Sequence, residues 1–160
     1  MLQTSSELRA FLERGRRDRE NWAPLALFHE ALVTADAVSG KGDLEACWRI
    51  GRFIAKHEVG AVRSLALRIL RPSVVLSLTC SLWQVHYRNA GRAVTQVAGP
   101  SAIRLSIIDY PSPHRAHCLS VAGWVQGALE LGRRRAIRVD KVACRCESAA
   151  SCDYSVSWEE

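Results

Sequence analysis

The sequence predicts an α+β fold. An all-helical N-terminal half is followed by hairpin, helix and hairpin, and the hairpins supply a four-stranded antiparallel sheet packed on helices. Three observations carry this. Apolar residues recur every three to four positions from Ser5 to about Asn89. From Gly91 the apolar period drops to two, as in Ile103, Leu105 and Ile107 alternating with Arg104 and Ser106. Between the two alternating regions, Cys118, Val121, Val125 and Leu129 fall on one helical face.

The elements follow in order. Residues 5–20 read as a helix with a narrow stripe of Leu8, Phe11 and Leu12 among mixed charges, the pattern of an exposed helix. Pro24 suits the first turn of a helix running to about Ala37, with Leu25, Phe28, Leu32 and Val33 inward and His29 at the surface. Ser39 to Asp43 form a turn, and Asp43 is placed to cap a helix over 44–57 that buries Cys47, Ile50 and Ile54. Gly60 breaks it, and 61–70 resumes the helical period. Pro72 starts a helix to about Asn89, with Leu76, Cys80, Trp83 and Tyr87 on one face. Strands are expected over 91–97, around 103–107, over 136–142 and around 154–158, the first two joined by the Gly99-Pro100-Ser101 turn.

With 160 residues, 48% hydrophobic and 24% charged, the chain is expected to be one domain with a sizeable core. It contains no apolar run of ~18 residues, the length of a membrane span. Its N-terminus lacks the basic and apolar regions of a secretory signal, so a cytoplasmic, reducing compartment is expected. The net charge of +6 is dispersed over several segments, as on a solvated basic surface. Nucleic-acid binding is not expected, because no helix-turn-helix or base-stacking motif accompanies the arginines. Phosphate-loop, G-x-S-x-G and H-E-x-x-H patterns are all missing, so an enzyme is not expected.

Half of the six cysteines lie in one short stretch: Cys144, Cys146 and Cys152, spaced C-x-C-x5-C. Thiolates this close can converge on one metal ion, and Cys118, opening the helix upstream, could complete the set. Reduced buried thiols and a disulfide are the alternatives. Trp83, His86 and Tyr87 share a helical face, and Trp124 lies on the helix of Cys118. These four could line an apolar pocket with a few polar groups, or simply be core. His117, beside Cys118, is a remote candidate metal ligand.

The second half resembles the 4-vinyl reductase domain family. The resemblance rests on Trp83-x3-Tyr87-x3-Gly91, Cys118-x4-Gly123-x3-Gly127 and Cys144-x7-Cys152 followed by an alternating strand. It covers residues 72–160, leaving 1–71 as a helical part without a matching motif. The family includes ligand-sensing regions of aromatic-responsive bacterial transcription activators, and its fold is related to subunits of vesicle-tethering complexes. In the sensor members a helix cysteine, two hairpin cysteines and a glutamate three residues before the first of these hold zinc. Cys118, Cys144 and Cys152 match, but Lys141 stands in the glutamate position. The resemblance thus implies a structural zinc site completed by Cys146 or, less well, Asp140.

It also implies a non-enzymatic sensory or regulatory module. Such a module would bind a small apolar or aromatic ligand between helices and sheet and signal through a homodimer or a regulatory partner protein. The alternative is a dimerising interaction scaffold without a ligand. Some gas sensors share the helices-to-sheet outline and bind haem carboxylates with Tyr-x-Ser-x-Arg. Here Tyr110-Pro111-Ser112-Pro113-His114 carries histidine in place of the arginine, so haem is not expected.

Overall fold

The computed structural model describes residues 4–15, 22–58, 72–132 and 134–159. Helices α1 (Ser6–Gly15), α2 (Leu25–Ser39), α3 (Glu45–Glu58) and α4 (Pro72–His86) come first. Strands β1 (Arg92–Gly99) and β2 (Ala102–Ile108), helix α5 (Arg115–Leu131) and strands β3 (Arg135–Ala143) and β4 (Cys152–Glu159) follow. The helical half and the hairpin–helix–hairpin order are as the sequence predicts. The helix expected over 61–70, the end of the first helix beyond Gly15 and the inward placing of Leu76 lie outside the described residues and side chains. No helix of the described residues is long and apolar enough to cross a membrane.

All strand pairings are antiparallel, in the order β1-β2-β4-β3. The two central strands pair Ile103 with Val156, Leu105 with Tyr154 and Ile107 with Cys152. Because side chains alternate faces, this register sends Ile103, Leu105, Ile107, Cys152, Tyr154, Val156 and Trp158 to one buried face. Helix α5 packs there with Cys118, Ala122, Val125 and Leu129. Its other side is also buried, through Ala116, His117, Ser120, Gly123 and Gly127, because α3 crosses behind it. The result is three layers, with α5 in the middle.

Local chemistry sets the ends of these elements. His114 caps α5 by accepting the Ala116 N–H at 3.2 Å. Asp43 accepts the Glu45 N–H at 3.0 Å, as expected for a cap of α3. Helix α4 stops at His86, three residues short of the sequence estimate, because Asn89 and Gly91 take positive φ. Two side chains of the helix fasten the turn that follows: Trp83 Nε1 donates to Ala90 O at 3.1 Å and Gln84 Nε2 to Gly91 O at 3.0 Å.

Candidate functional site

Three features lie around α5: a sulfur pocket on its sheet side, a cavity among the helices, and a buried polar chain between α2, α4 and α5.

The sulfur pocket forms because β3 ends at Ala143, Cys144 caps a short 3-10 turn (Arg145–Glu147), and Ser148 reverses the chain in the left-handed region. The strand register then sets Cys152 beneath the start of α5. Cys118 Sγ lies 3.9 Å from both Cys144 Sγ and Cys152 Sγ, and all three are buried. The convergence of widely separated cysteines is thus observed. Backbone N–H groups point at the sulfurs: Cys146 N donates to Cys144 Sγ at 3.3 Å and Arg145 N to Cys152 Sγ at 3.5 Å. The Cys118 thiol donates to Cys152, which lowers the Cys152 pKa and raises that of Cys118. Cys146 is exposed and stands outside the cluster, and all six cysteines are free thiols.

The cavity measures about 910 Å³ and is lined by residues of α2, α3, α4 and α5 and the segments beside them. Trp83, His86, Tyr87 and Trp124, singled out in the sequence, all line it, together with Trp22, Phe28, Ile54 and Leu82. Its place differs from the expectation. The space between sheet and α5 is filled by Leu105, Tyr154, Val156, Trp158, Val125 and Leu129, and the cavity opens on the opposite side of α5, where no strand residue lines it. Its polar end is Glu58, which accepts from Trp124 Nε1 at 3.4 Å and sits 3.9 Å from His86 Nε2. The Arg88 guanidinium stacks on Trp22 at 4.0 Å.

Behind this cavity runs the polar chain. Tyr87 Oη lies 2.8 Å from His117 Nε2. His117 Nδ1 is hydrogen-bonded to the Tyr110 hydroxyl, which lies 3.2 Å from His29 Nε2. His29 and His117 are buried, which corrects the expectation of a surface His29. Burial, the leading cause, drops the pKa of His117 to about 3 and that of His29 to about 4, and neighbouring histidines add to both shifts. The same desolvation raises both tyrosines well above their usual range. All four groups are therefore neutral at pH 7. The sequence signal for His29 was its place four residues after Leu25 and three before Leu32, on the stripe that points inward. His117 was visible only as a neighbour of Cys118.

No protein-family model and no curated protein sequence matches the chain. Solved structures do. An H-NOX domain from Shewanella oneidensis, in an Fe(II)CO ligation state, superposes with a TM-score of 0.67 at 14% identity, over 97% of this chain and 89% of that one. An H-NOX protein from K. algicida gives 0.61 at 10% identity, over 97% and 88%. A vinyl-4-reductase family protein from Methanocaldococcus jannaschii gives 0.51 at 14% identity, over 100% and 99%. At these identities the likeness shows a shared fold.

These findings correct the zinc expectation. The neighbours that name a metal centre are H-NOX structures described by Fe(II) states and haem, not zinc. The four-thiolate tetrahedron also lacks its fourth corner, since Cys146 is exposed and is not among the three thiols whose sulfurs all lie within 4.8 Å of one another.

The Tyr110–His114 segment does not offer haem a carboxylate site at the cavity either. Haem needs an axial ligand facing the iron and partners for its carboxylates. The Tyr110–His114 segment that would hold the carboxylates is engaged elsewhere: Tyr110 in the buried chain, His114 in capping α5, and none of its residues in the cavity lining. His86 lines the cavity 3.9 Å from Glu58, too far for a hydrogen bond, and Arg88 is stacked on Trp22.

Proposed function

We propose that this chain is a non-enzymatic sensory module that takes a small apolar or aromatic molecule into the cavity among α2, α3, α4 and α5. The observation that carries the reading is the cavity itself. Its volume of about 910 Å³ lies within the usual range for small-molecule sites, and its walls are Trp22, Phe28, Trp83, Tyr87 and Trp124, with Glu58, His86, Arg88 and Ser120 as polar members. The fold shared with H-NOX domains and a vinyl-4-reductase family protein supports it. Helix α5 touches both cavity and sheet, so a ligand pressing on Val121 and Trp124 bears on the layer that carries the sheet. Output then passes through a homodimer or a partner protein.

Three tryptophans in the lining provide the test. Titration with naphthalene or ethylbenzene quenches tryptophan emission and raises Tm. For a ligand at 100 times its Kd the gain is about 2.7 kcal/mol. A panel of such molecules giving neither quenching nor a Tm rise sinks the reading. Light scattering with and without ligand tests the dimer output.

A further inference from the structure

The buried polar chain deepens this reading and rests on it. Tyr87 is the one member of the chain in the cavity lining. The others recede from it: His117 retains 1% of its surface, Tyr110 2% and His29 8%. The walls around His117 are aromatic, with Phe28 edge-on at 5.4 Å and Trp83 stacked at 5.9 Å, while His114 stacks on His29 at 4.9 Å. In such surroundings an unpaired polar atom is costly, so each of the three contacts must hold one donor and one acceptor.

A neutral imidazole carries one N–H and one bare nitrogen, and each hydroxyl donates once. The direction of one bond therefore sets all the others. In one direction Tyr87 donates to His117 Nε2, His117 Nδ1–H donates to Tyr110, and Tyr110 donates to His29 Nε2. Tyr87 then shows the cavity only a lone pair. In the other direction His29 Nε2–H donates to Tyr110, Tyr110 donates to His117 Nδ1, and His117 Nε2–H donates to Tyr87. Tyr87 then turns a free O–H toward the cavity.

We propose that Tyr87–His117–Tyr110–His29 is a reversible hydrogen-bond relay. It senses whether the bound molecule accepts or donates a hydrogen bond and reports the answer as the tautomer of His29 on α2. The ligand class is an apolar or aromatic molecule bearing one polar atom. An acceptor such as a ketone oxygen selects the second direction, and a donor such as an N–H selects the first. Reversal balances in protons. One proton enters Tyr87 from water on the cavity side, one moves across each of the three bonds, and one leaves His29 Nδ1 to water. No group changes charge.

The experiment uses the full chain labelled with 15N-histidine and three probes. Acetophenone only accepts, indole only donates, and ethylbenzene does neither. Acetophenone and indole are expected to give opposite tautomers at His29 and His117, and ethylbenzene to leave the ligand-free pattern. If acetophenone and indole both bind, seen by tryptophan quenching, and leave the same tautomers, the relay is overturned while the cavity reading survives. If none of the three binds, both fall. Tyr87→Phe is expected to weaken acetophenone and indole about fivefold, the worth of one hydrogen bond, with ethylbenzene within about twofold. An equal loss for all three makes Tyr87 a wall and overturns the relay. Should that variant fail to fold, the tautomer measurement on the unaltered chain decides.

Discussion

Gly51 of α3 lies directly against the carbonyl oxygen of Ser120 in α5: a Cβ added to the glycine would sit 1.9 Å from that oxygen. The arrangement is reciprocal, since a Cβ on Gly123 would sit 1.9 Å from Trp48 O, with Gly127 close to Arg52 O at 2.7 Å. The two helices meet backbone to backbone, which lets α5 serve as the middle layer. Gly51→Ala and Gly123→Ala are each expected to lower stability by about 3 kcal/mol, at the upper end of overpacking costs, because the obstructing atoms are main chain. Gly99→Ala, whose Cβ would meet only Ala102 Cβ at 3.7 Å, is the control and is expected to fall within about 0.5 kcal/mol. Urea unfolding with an unchanged m-value checks all three.

Asp36 holds the turn between α2 and α3. It is fully buried, and its two carboxylate oxygens accept from Leu44 N and Ala46 N at 2.9 Å each. Its own carbonyl accepts from Gly40 N at 2.7 Å. Removing the carboxylate strands two N–H donors at a buried helix start. Asp36→Ala is expected to cost about 3 kcal/mol, from two hydrogen bonds to a charged group. Asp43→Ala, which removes an exposed cap of the same helix, is expected to cost about 0.5–1 kcal/mol. Equal losses in thermal unfolding would show that Asp36 is not the main tie.

The contrast between these aspartates shows what was legible in the sequence. Asp43 could be read because capping is local: the bond spans two residues. Asp36 could not, because its partners lie eight and ten residues on, across a turn whose geometry depends on Leu44 taking positive φ. The fold class was legible because apolar periods of 3.6 and 2 are local too. The meeting of Cys118, Cys144 and Cys152 was suggested by the close spacing of the last cysteines and singled out by a resemblance. The placing of the cavity was not. Trp83, His86, Tyr87 and Trp124 were found as aromatic and polar residues at helical spacing, but which side of α5 stays open depends on how completely Leu105, Tyr154, Val156 and Trp158 fill the other side. The histidine–tyrosine chain joins α2 and α5 with the segments that follow α4 and β2, and no periodicity announces it.

Burial of neutral His29 and His117 has a sign in acid. Their folded pKa values, about 4 and about 3, lie below the ordinary 6.5. Between these values the unfolded chain binds protons that the folded chain does not, so stability rises with pH and is lost as pH falls from 6.5. Each histidine contributes up to about 1.4 kcal/mol per pH unit. Glu130 and Asp153 also have lowered values, but they act only below their ordinary 4.5 and 3.8. From pH 6 to 5 the histidines act largely without the carboxylates, and Cys152, whose pKa is lowered to about 6, adds a smaller loss of the same sign. Urea midpoints measured there are expected to fall steeply, and less steeply in His29→Gln. A flat profile would mean that the two imidazoles are already protonated in the native state.

The sulfur pocket separates acidity from reactivity. The Cys118 hydrogen bond and the Arg145 N–H lower the Cys152 pKa below the ordinary thiol value, yet Cys152 keeps only 1% of its surface, and Cys118 and Cys144 keep 3% and 1%. A thiolate reacts only when a reagent reaches it. Cys146 is the reverse case: exposed, with its pKa raised by partial burial and by hydrogen bonding to Cys144. Brief treatment of native protein with iodoacetamide at pH 7.5 is expected to label Cys146 first and to leave Cys118, Cys144 and Cys152 unlabelled until urea opens the fold. Peptide mass mapping over time gives the order. Labelling of Cys152 as fast as Cys146 would mean that the turn over 145–151 opens readily and that acidity, not access, governs the site.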